Sequence, residues 1–287
     1  MQKISKAVIP VAGLGTRFLP VTKAIPKELL PIVDTPVLQL LVEEATTAGI
    51  EEIIFVVNPE KTAIREYFSP NEKLEETLKA TNKTELLARL RKIQELAKFK
   101  FVEQAKALGD GHAVLQAQDL VGDEPFLVLF GDDLILAKKS ATEQLLETWQ
   151  EKQSAVVALM EVEQNEVSNY GVVEEKSRVE DLVGIKSFVE KPAPERAPSN
   201  LAIVGKYVCP PQIFEILQNN PNASGEIRLI DALSRLVQTE PVFGKICQGE
   251  RYDIGNKFGF VKANLDFALQ HPEIAEETKN YLKKIKL

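Results

Sequence analysis

The stretch Ala7-Val8-Ile9-Pro10-Val11-Ala12-Gly13-Leu14-Gly15-Thr16-Arg17-Phe18-Leu19-Pro20 decides the fold class. A short apolar run, read as a strand over 7–11, empties into a loop that carries Gly13, Gly15 and Arg17. Glycine lets backbone N–H groups approach a ligand closely, so such a loop suits a phosphate or a flat base. From residue 1 to Lys27 there are five basic side chains (Lys3, Lys6, Arg17, Lys23, Lys27) and no acidic one, in a chain whose 35 basic and 42 acidic residues give a net charge of −7. A cationic glycine loop in an anionic protein points to a small polyanion, most simply a polyphosphate. The dinucleotide fingerprint G-x-G-x-x-G fails at Phe18, and the P-loop pattern G-x-x-x-x-G-K-[ST] does not occur. Taken alone, Gly-Leu-Gly is equally a strand-to-turn pair that binds nothing.

Outward from the loop, apolar runs alternate with helical patterns. Residues 53–57 and 99–102 read as strands, and Phe126-Leu127-Val128-Leu129-Phe130 is a continuous apolar run, the pattern of a strand buried on both faces and hence of parallel pairing. A helix is expected over 36–48, with Asp34 or Thr35 as N-cap, Pro36 near its first turn and Gly49 at its end. The charged, periodic segment 60–98 reads as two or three helices inserted beside the sheet. The first half is therefore β-α-β-α-β-α-β, and the expected fold is α/β, a Rossmann-like doubly wound, mixed but mostly parallel sheet. Strands over 154–162, 171–174, 183–189 and 201–208 extend it. Helices follow near 211–219, 226–239 and 257–270, and Pro272 opens a charged C-terminal helix. One α/β domain over 1–287 is preferred to two independent ones.

The composition narrows the class of protein. At 287 residues, 44% hydrophobic and 27% charged, the chain fits a globular enzyme. No apolar run approaches 18 residues, and the start does not read as a signal peptide. Cys209 and Cys247 are isolated, and His112 and His271 lie far apart, so neither a disulfide framework nor a Cys/His metal cluster is expected. A reducing cytoplasm is the simple inference. The acidic balance and the lack of basic tails argue against nucleic acid, and nothing argues for a membrane.

Ligands of doubly wound sheets sit beyond the carboxyl ends of the strands. The glycine loop falls at one such end and Gly131-Asp132-Asp133 at another. Two aspartates after a buried strand are placed to hold Mg²⁺ against phosphate oxygens, although Gly-Asp-Asp is also good turn chemistry. Glu190-Lys191 can be a solvated strand end, and Asp253 before Gly255 a turn. Gln104 offers an amide able to pair with both a donor and an acceptor on a base. His112 tempts as a general base but sits where a helix starts.

Ala12-Gly13-Leu14-Gly15-Thr16-Arg17, then Pro20, Thr22-Lys23-Ala24-Ile25-Pro26-Lys27-Glu28 and Leu30-Pro31, resembles the signature of the sugar-nucleotide pyrophosphorylases. The likeness runs on through Gln104 with Gly109-Asp110-Gly111-His112-Ala113, Gly131-Asp132-Asp133, Asn169-Tyr170-Gly171, Glu190-Lys191-Pro192, residues 199–207, residues 225–231 and Tyr252-Asp253-Ile254-Gly255-Asn256. The Ala-Gly-Leu-Gly loop and Pro26 resemble the branch that uses UTP, whereas Gly131, in place of that branch's usual proline, resembles the dTTP branch. Arg228 and Ile230 replace an expected glutamine and threonine.

The resemblance implies a fold of the nucleotide-diphospho-sugar transferase type. It implies a nucleotide half over 1–135 with the helical insertion at 60–98, a sugar half over 136–270 and a C-terminal helix over 271–287. Ala12, Gly13, Leu14, Gly15, Thr16, Arg17, Gln104 and Gly111 would bind the nucleotide. Asp133, Gly171, Glu190 and Lys191 would bind the sugar phosphate, Asp132 and Asp253 would hold Mg²⁺, and Arg17, Lys27 and Lys191 would carry the reaction. The substrates implied are UTP and glucose 1-phosphate, joined into UDP-glucose with release of pyrophosphate, in a homodimer or homotetramer. A dTTP-using sister enzyme and a non-catalytic sugar-nucleotide sensor are the alternatives, and retention of all five charges (Arg17, Lys27, Asp132, Lys191, Asp253) argues against the sensor.

Overall fold

The computed structural model describes residues 3–219 and 225–285. In chain order the first half holds β1 (Lys6–Pro10), β2 (Pro31–Ile32), β3 (Thr35–Pro36), α1 (Val37–Thr47), β4 (Glu52–Val57), α2 (Ala63–Phe68), α3 (Glu72–Ala80), α4 (Thr84–Gln94), β5 (Lys98–Glu103), α5 (Asp110–Leu115), α6 (Gln118–Val121) and β6 (Phe126–Leu129). The second half holds β7 (Asp133–Leu136), α7 (Ala141–Lys152), β8 (Ala155–Glu161), β9 (Gly171–Val179), β10 (Leu182–Glu190), β11 (Leu201–Cys209), α8 (Ile213–Gln218), α9 (Leu229–Leu236), β12 (Val242–Ile246), β13 (Glu250–Asp253), α10 (Lys257–Ala268) and α11 (Ala275–Leu282). The last two residues of the helix expected over 271–287 lie outside the described residues.

Among the described residues, nine strands form one sheet in the order β5-β4-β1-β6-β11-β8-β12-β10-β9. β5, β4, β1 and β6 are mutually parallel, and so are β8 and β12. Antiparallel pairing of β11 with β6 and β8, and of β10 with β12 and β9, leaves only β11 and β10 running against the other seven. The sheet is thus mixed and mostly one-directional, as the sequence predicts. The chain builds outward from β1 through β4 to β5 and then returns to β6 on the far side of β1. That reversal opens a crevice at the carboxyl ends of β1 and β6, where open α/β sheets bind their ligands.

Side-chain alternation explains the layers. Val8, Phe126, Val128, Val157 and Leu159 point to one face and pack with Ala113, Val114, Ile213, Leu217 and Leu233 from α5, α8 and α9. Ala7, Ile9, Leu127, Leu129 and Val156 point to the other and pack with Leu38, Val42, Leu145 and Trp149 from α1 and α7. Strands loaded on both faces need both covered, which is the reason the central runs read as unbroken hydrophobic stretches. A third cluster joins Ile32, Val37, Leu41, Leu134, Tyr252, Ile254 and Ala263 beneath α10.

The segment expected to hold two or three helices holds three, and neither α3 nor α4 buries a residue. The expected N-cap of α1 needs correction: the cap position is Pro36, with no side-chain cap bond, because Thr35 and Pro36 pair with Pro31 and Ile32 as a small hairpin. Asp34 instead accepts a hydrogen bond from the Thr35 hydroxyl.

Candidate active site

Four strand ends converge on a cleft of about 550 Å³. From the residues expected to form the site, Ala12, Gly13, Lys27, Gln104, Asp132, Asp133, Gly171, Glu190 and Lys191 line it, together with Glu28, Gly109, Tyr170 and Arg251. β1 delivers the glycine loop, β5 delivers Gln104 and β6 delivers Gly131 and Asp132. The β9–β10 hairpin folds back so that Val172 pairs with Ala202, which brings Gly171 and Glu190 to the same opening.

The loop is built to receive hydrogen-bond acceptors. Among the described residues, the backbone N–H groups of Ala12 to Arg17 donate to none, whereas Val11 N donates to Val56 O and Phe18 N to Gly15 O. The carbonyls are tied from outside: the Thr22 hydroxyl donates to Gly15 O at 2.8 Å and Lys61 Nζ to Gly13 O at 3.2 Å. Gly15 is left-handed at φ +65°, and a Cβ there would fall 3.1 Å from the Thr22 methyl, so this turn requires glycine. Leu14, Gly15, Thr16 and Arg17 belong to the loop but not to the cleft wall, and Leu14 stands 61% exposed.

The carboxylates expected to hold a metal do meet. β7 pairs with β13 as a two-stranded ribbon that sets Asp133 opposite Asp253. A Cβ placed on Gly255 would fall 2.6 Å from Asp132 Oδ2, 3.1 Å from Asp253 Oδ1 and 3.1 Å from Arg17 Nη1, so all three side chains crowd one point. Arg17 Nη1 also donates to Gly255 O at 3.1 Å. Two carboxylates with room for phosphate oxygens and water form the donor set Mg²⁺ takes beside a nucleotide. No third His, Cys, Asp or Glu completes an all-protein cage among the described residues. Lys27 Nζ donates to Asp132 Oδ2 at 2.5 Å. Burial disfavours its ammonium, but the Asp132 and Glu28 carboxylates outweigh that and raise its pKa.

Sequence reading missed several members. Arg251 Nε donates to Asp133 Oδ1 at 2.6 Å, with Nη2 at 2.5 Å from the same oxygen, and the guanidinium lies 4.8 Å from the Tyr170 ring centre. Burial, then the Asp132 and Asp253 carboxylates, push the Asp133 carboxyl up to about 6 against the pull of Arg251. Glu28 is 2% exposed, and its Oε2 has no partner among the described residues. Burial pushes its carboxyl up to about 7, with Lys27 opposing. Its Cγ would lie 2.8 Å from a Cβ on Gly131, which explains a glycine before Asp132. The signal for Glu28 was its place beside Lys27; Arg251 and Lys61 left none.

Lys191 holds φ +46°, a left-handed backbone that costs a non-glycine residue about 1–3 kcal/mol. Its N–H donates to Tyr170 O at 3.0 Å, and its Nζ lies 3.3 Å from Glu190 Oε1. Gly171 lies against Glu190 Oε2 and the tips of Ile230 and Ile203, with no space for a Cβ. Gly111 requires correction. It is buried away from the cleft, packed on the Arg228–Leu229 backbone and Leu217, and it is Gly109 that lines the wall. Gln104 Nε2 donates to Gly109 O at 3.0 Å and faces His112 Nδ1 at 3.0 Å, so its free valence is on Oε1. The His112 ring sits between the Gln104 and Gln116 amides, outside the cleft wall, and burial lowers its pKa, so it is neutral at pH 7. Within residues 199–207, Gly205 and Tyr207 line the cleft, whereas Lys206 is fully buried, with Nζ 2.8 Å from Glu44 Oε2. Arg228 is paired with Asp231 at 2.9 Å.

Residues 6–270 match the family model described as Nucleotidyl transferase, and the chain belongs to that family. A UTP–glucose-1-phosphate uridylyltransferase of Streptococcus pneumoniae is 48% identical over 286 residues, covering 98% of this chain and 95% of its own. A UTP-bound UGPase from Acinetobacter baumannii superposes with a TM-score of 0.93 at 39% identity, covering 99% of this chain and 100% of that one. A UDP-glucose pyrophosphorylase complexed with UDP-glucose superposes with a TM-score of 0.84 at 39% identity, covering 93% of this chain and 100% of its own. The protein is a nucleotidyltransferase, and its relatives are UTP–glucose-1-phosphate uridylyltransferases.

Proposed function

We propose that this chain transfers the uridylyl group of UTP to α-D-glucose 1-phosphate, giving UDP-glucose and pyrophosphate. The observation that carries the reading is the cleft itself: a loop of unpaired amides, with Arg17, Asp132 and Asp253 crowding one point at its edge. The pneumococcal relative and the UTP-bound and UDP-glucose-bound neighbours supply the substrate identities.

A phosphate oxygen of the sugar phosphate attacks the α-phosphorus of UTP in line. The bond to the bridging oxygen breaks, and that oxygen leaves with pyrophosphate. The nucleophile is already ionised at pH 7, so no general base is needed, in keeping with a neutral His112 outside the cleft wall. Two polyanions must be brought together, so positioning and charge neutralisation dominate. Ala12, Gly13, Gln104 Oε1 and Gly109 hold the base and nucleoside. Arg17 stabilises the leaving pyrophosphate, and Lys27 and Lys191 flank the transferring phosphoryl group. Glu190, beside Gly171, accepts from sugar hydroxyls, while Asp133 and Arg251 form the wall behind them. Mg²⁺ held by Asp132 and Asp253 would neutralise phosphate oxygens at that edge.

The protein acts in the cytoplasm as a homodimer or homotetramer. No helix among the described residues is long and apolar enough to cross a membrane. Phe258, Val261 and Leu265, at 78%, 52% and 42% exposed, form a stripe at helical spacing along α10 that suits a subunit contact. Light scattering on wild type and Val261→Glu tests it, and a monomeric wild type would refute it.

Pyrophosphate release with glucose 1-phosphate and Mg²⁺, run in parallel with UTP, dTTP, ATP, CTP and GTP, tests the reaction. Release with UTP, abolished by EDTA, is expected. Preference for dTTP would transfer the protein to the sister activity. UDP-glucose binding without turnover would make it a sensor.

A further inference from the structure

Three cations, Lys27, Lys191 and Arg251, line the cleft, and two more, Arg17 and Lys61, flank it. Lys27 is paired with Asp132, Lys191 with Glu190 and Arg251 with Asp133. Of the five, Arg17 and Lys61 have no carboxylate within ion-pair distance among the described residues, and each donates to a backbone carbonyl instead. Arg17 is explained by the reaction. Lys61 is not: it lies on neither the glycine loop nor any segment the chemistry uses.

Its placement is fixed by local structure. β4 ends at Val57, on the strand next to β1, and the chain turns at once through Asn58-Pro59-Glu60-Lys61. Asn58 Oδ1 accepts from Glu60 N at 2.9 Å and Asn58 O from Lys61 N at 3.0 Å, an Asx turn that stiffens the corner. From that corner the half-buried Lys61 reaches Gly13 O at 3.2 Å. Thr22 holds Gly15 O in the same way at 2.8 Å. A glycine segment without such ties samples many backbone states, because glycine loses more freedom on ordering than any other residue.

We propose that Lys61 is a positioning residue for the nucleotide. By holding the Gly13 carbonyl, it keeps the Ala12-Gly13 stretch that lines the cleft in one backbone state, and it acts through the loop rather than on the phosphates. This rests on the nucleotide-binding reading of the loop.

The test compares wild type, Lys61→Met and Lys61→Arg in titrations with UTP and with uncharged uridine, followed by ligand-detected NMR, beside steady-state kinetics. Lys61→Met weakens UTP and uridine by the same factor, about ten-fold, the usual worth of one charge-assisted hydrogen bond. KM for UTP rises, kcat and KM for glucose 1-phosphate stay within about two-fold, and Lys61→Arg recovers most of the loss. Loss confined to UTP with uridine untouched would overturn the proposal in favour of a direct phosphate contact. Unchanged affinity for both ligands overturns it outright. A wild type that binds neither ligand would remove the nucleotide reading along with it, an outcome visible before any variant is compared.

Discussion

Charge at the cleft is unequally committed, and the substitutions that matter most are those at uncommitted or crossing positions. Among the described residues Arg17 donates to the Gly255 carbonyl and has no carboxylate within ion-pair distance, and Asp132 Oδ2 both accepts from Lys27 and borders the point beside Gly255. Arg17→Ala and Asp132→Ala should each lower turnover by about 10²–10³, the usual loss for one electrostatic partner of a transition state, in a protein that still folds. Pyrophosphate-release kinetics beside calorimetry decide it; near-normal turnover in Asp132→Ala would remove that residue from the metal-binding role. Glu28 carries a prediction about pH. Its folded-state carboxyl is raised by burial from the ordinary 4.5 to about 7, so the folded protein holds that proton more tightly than the unfolded chain. The stabilisation is complete below about pH 4.5 and is lost as pH rises through 7, on the order of 3 kcal/mol in all. Glu28→Gln, a permanent neutral form, should therefore gain stability over wild type progressively between those pH values and hold a constant lead above them. A pH-independent difference in melting temperature would contradict the shift.

The element that completes the site is the ribbon of β7 and β13, which aligns Asp133 with Asp253 and turns into Gly255. A methyl at Gly255 would lie 2.6 Å from Asp132 Oδ2 and 3.1 Å from both Arg17 Nη1 and Asp253 Oδ1. Gly255→Ala is thus expected to lower turnover at least ten-fold while the secondary structure, read by circular dichroism, stays intact; wild-type kinetics would mean the crossing is not where phosphate binds. This ribbon marks the boundary of what sequence alone made legible. The strands around β1 were readable because residues such as Phe126–Leu129 are apolar on both faces, and the glycine loop because its spacing is local. The partnership of residues 133–136 with 250–253 depends on a contact between distant short segments, for which periodicity carries no signal. β12 was passed over for the same reason: five residues that read Val-Phe-Gly-Lys-Ile look like a loop until β8 and β10 flank them. Gly109 and Gly111 show a finer limit, since two glycines in one motif are equivalent on paper and only the packing of α5 on the backbone at 228–229 separates them.

At the scale of the molecule, Glu44 ties three elements across the interior: Oε2 takes Lys206 of β11, and Oε1 accepts the Thr142 N–H and hydroxyl at the first turn of α7. Lys206→Met alone leaves that carboxylate buried without its cation, and should cost about 3–5 kcal/mol in denaturant unfolding. Adding Glu44→Leu should recover much of the loss, because replacing both ions with packed apolar groups is often neutral. Equal destabilisation in the double variant would show that Thr142, not the ion pair, is the chief beneficiary. The last consequence concerns time. The loop at 12–17 and Asp132 leave the ribosome long before Asp253 and Gly255, and the point where they crowd together does not exist until nearly the whole chain has emerged. A nascent protein therefore carries half of the proposed phosphate site, and bound nucleotide is expected to stabilise finished molecules most. At a hundred-fold excess over Kd it adds about 2.7 kcal/mol to those that have closed, and less to those that bind it more weakly. Substrate is therefore expected to protect completed copies from proteolysis more than truncated ones.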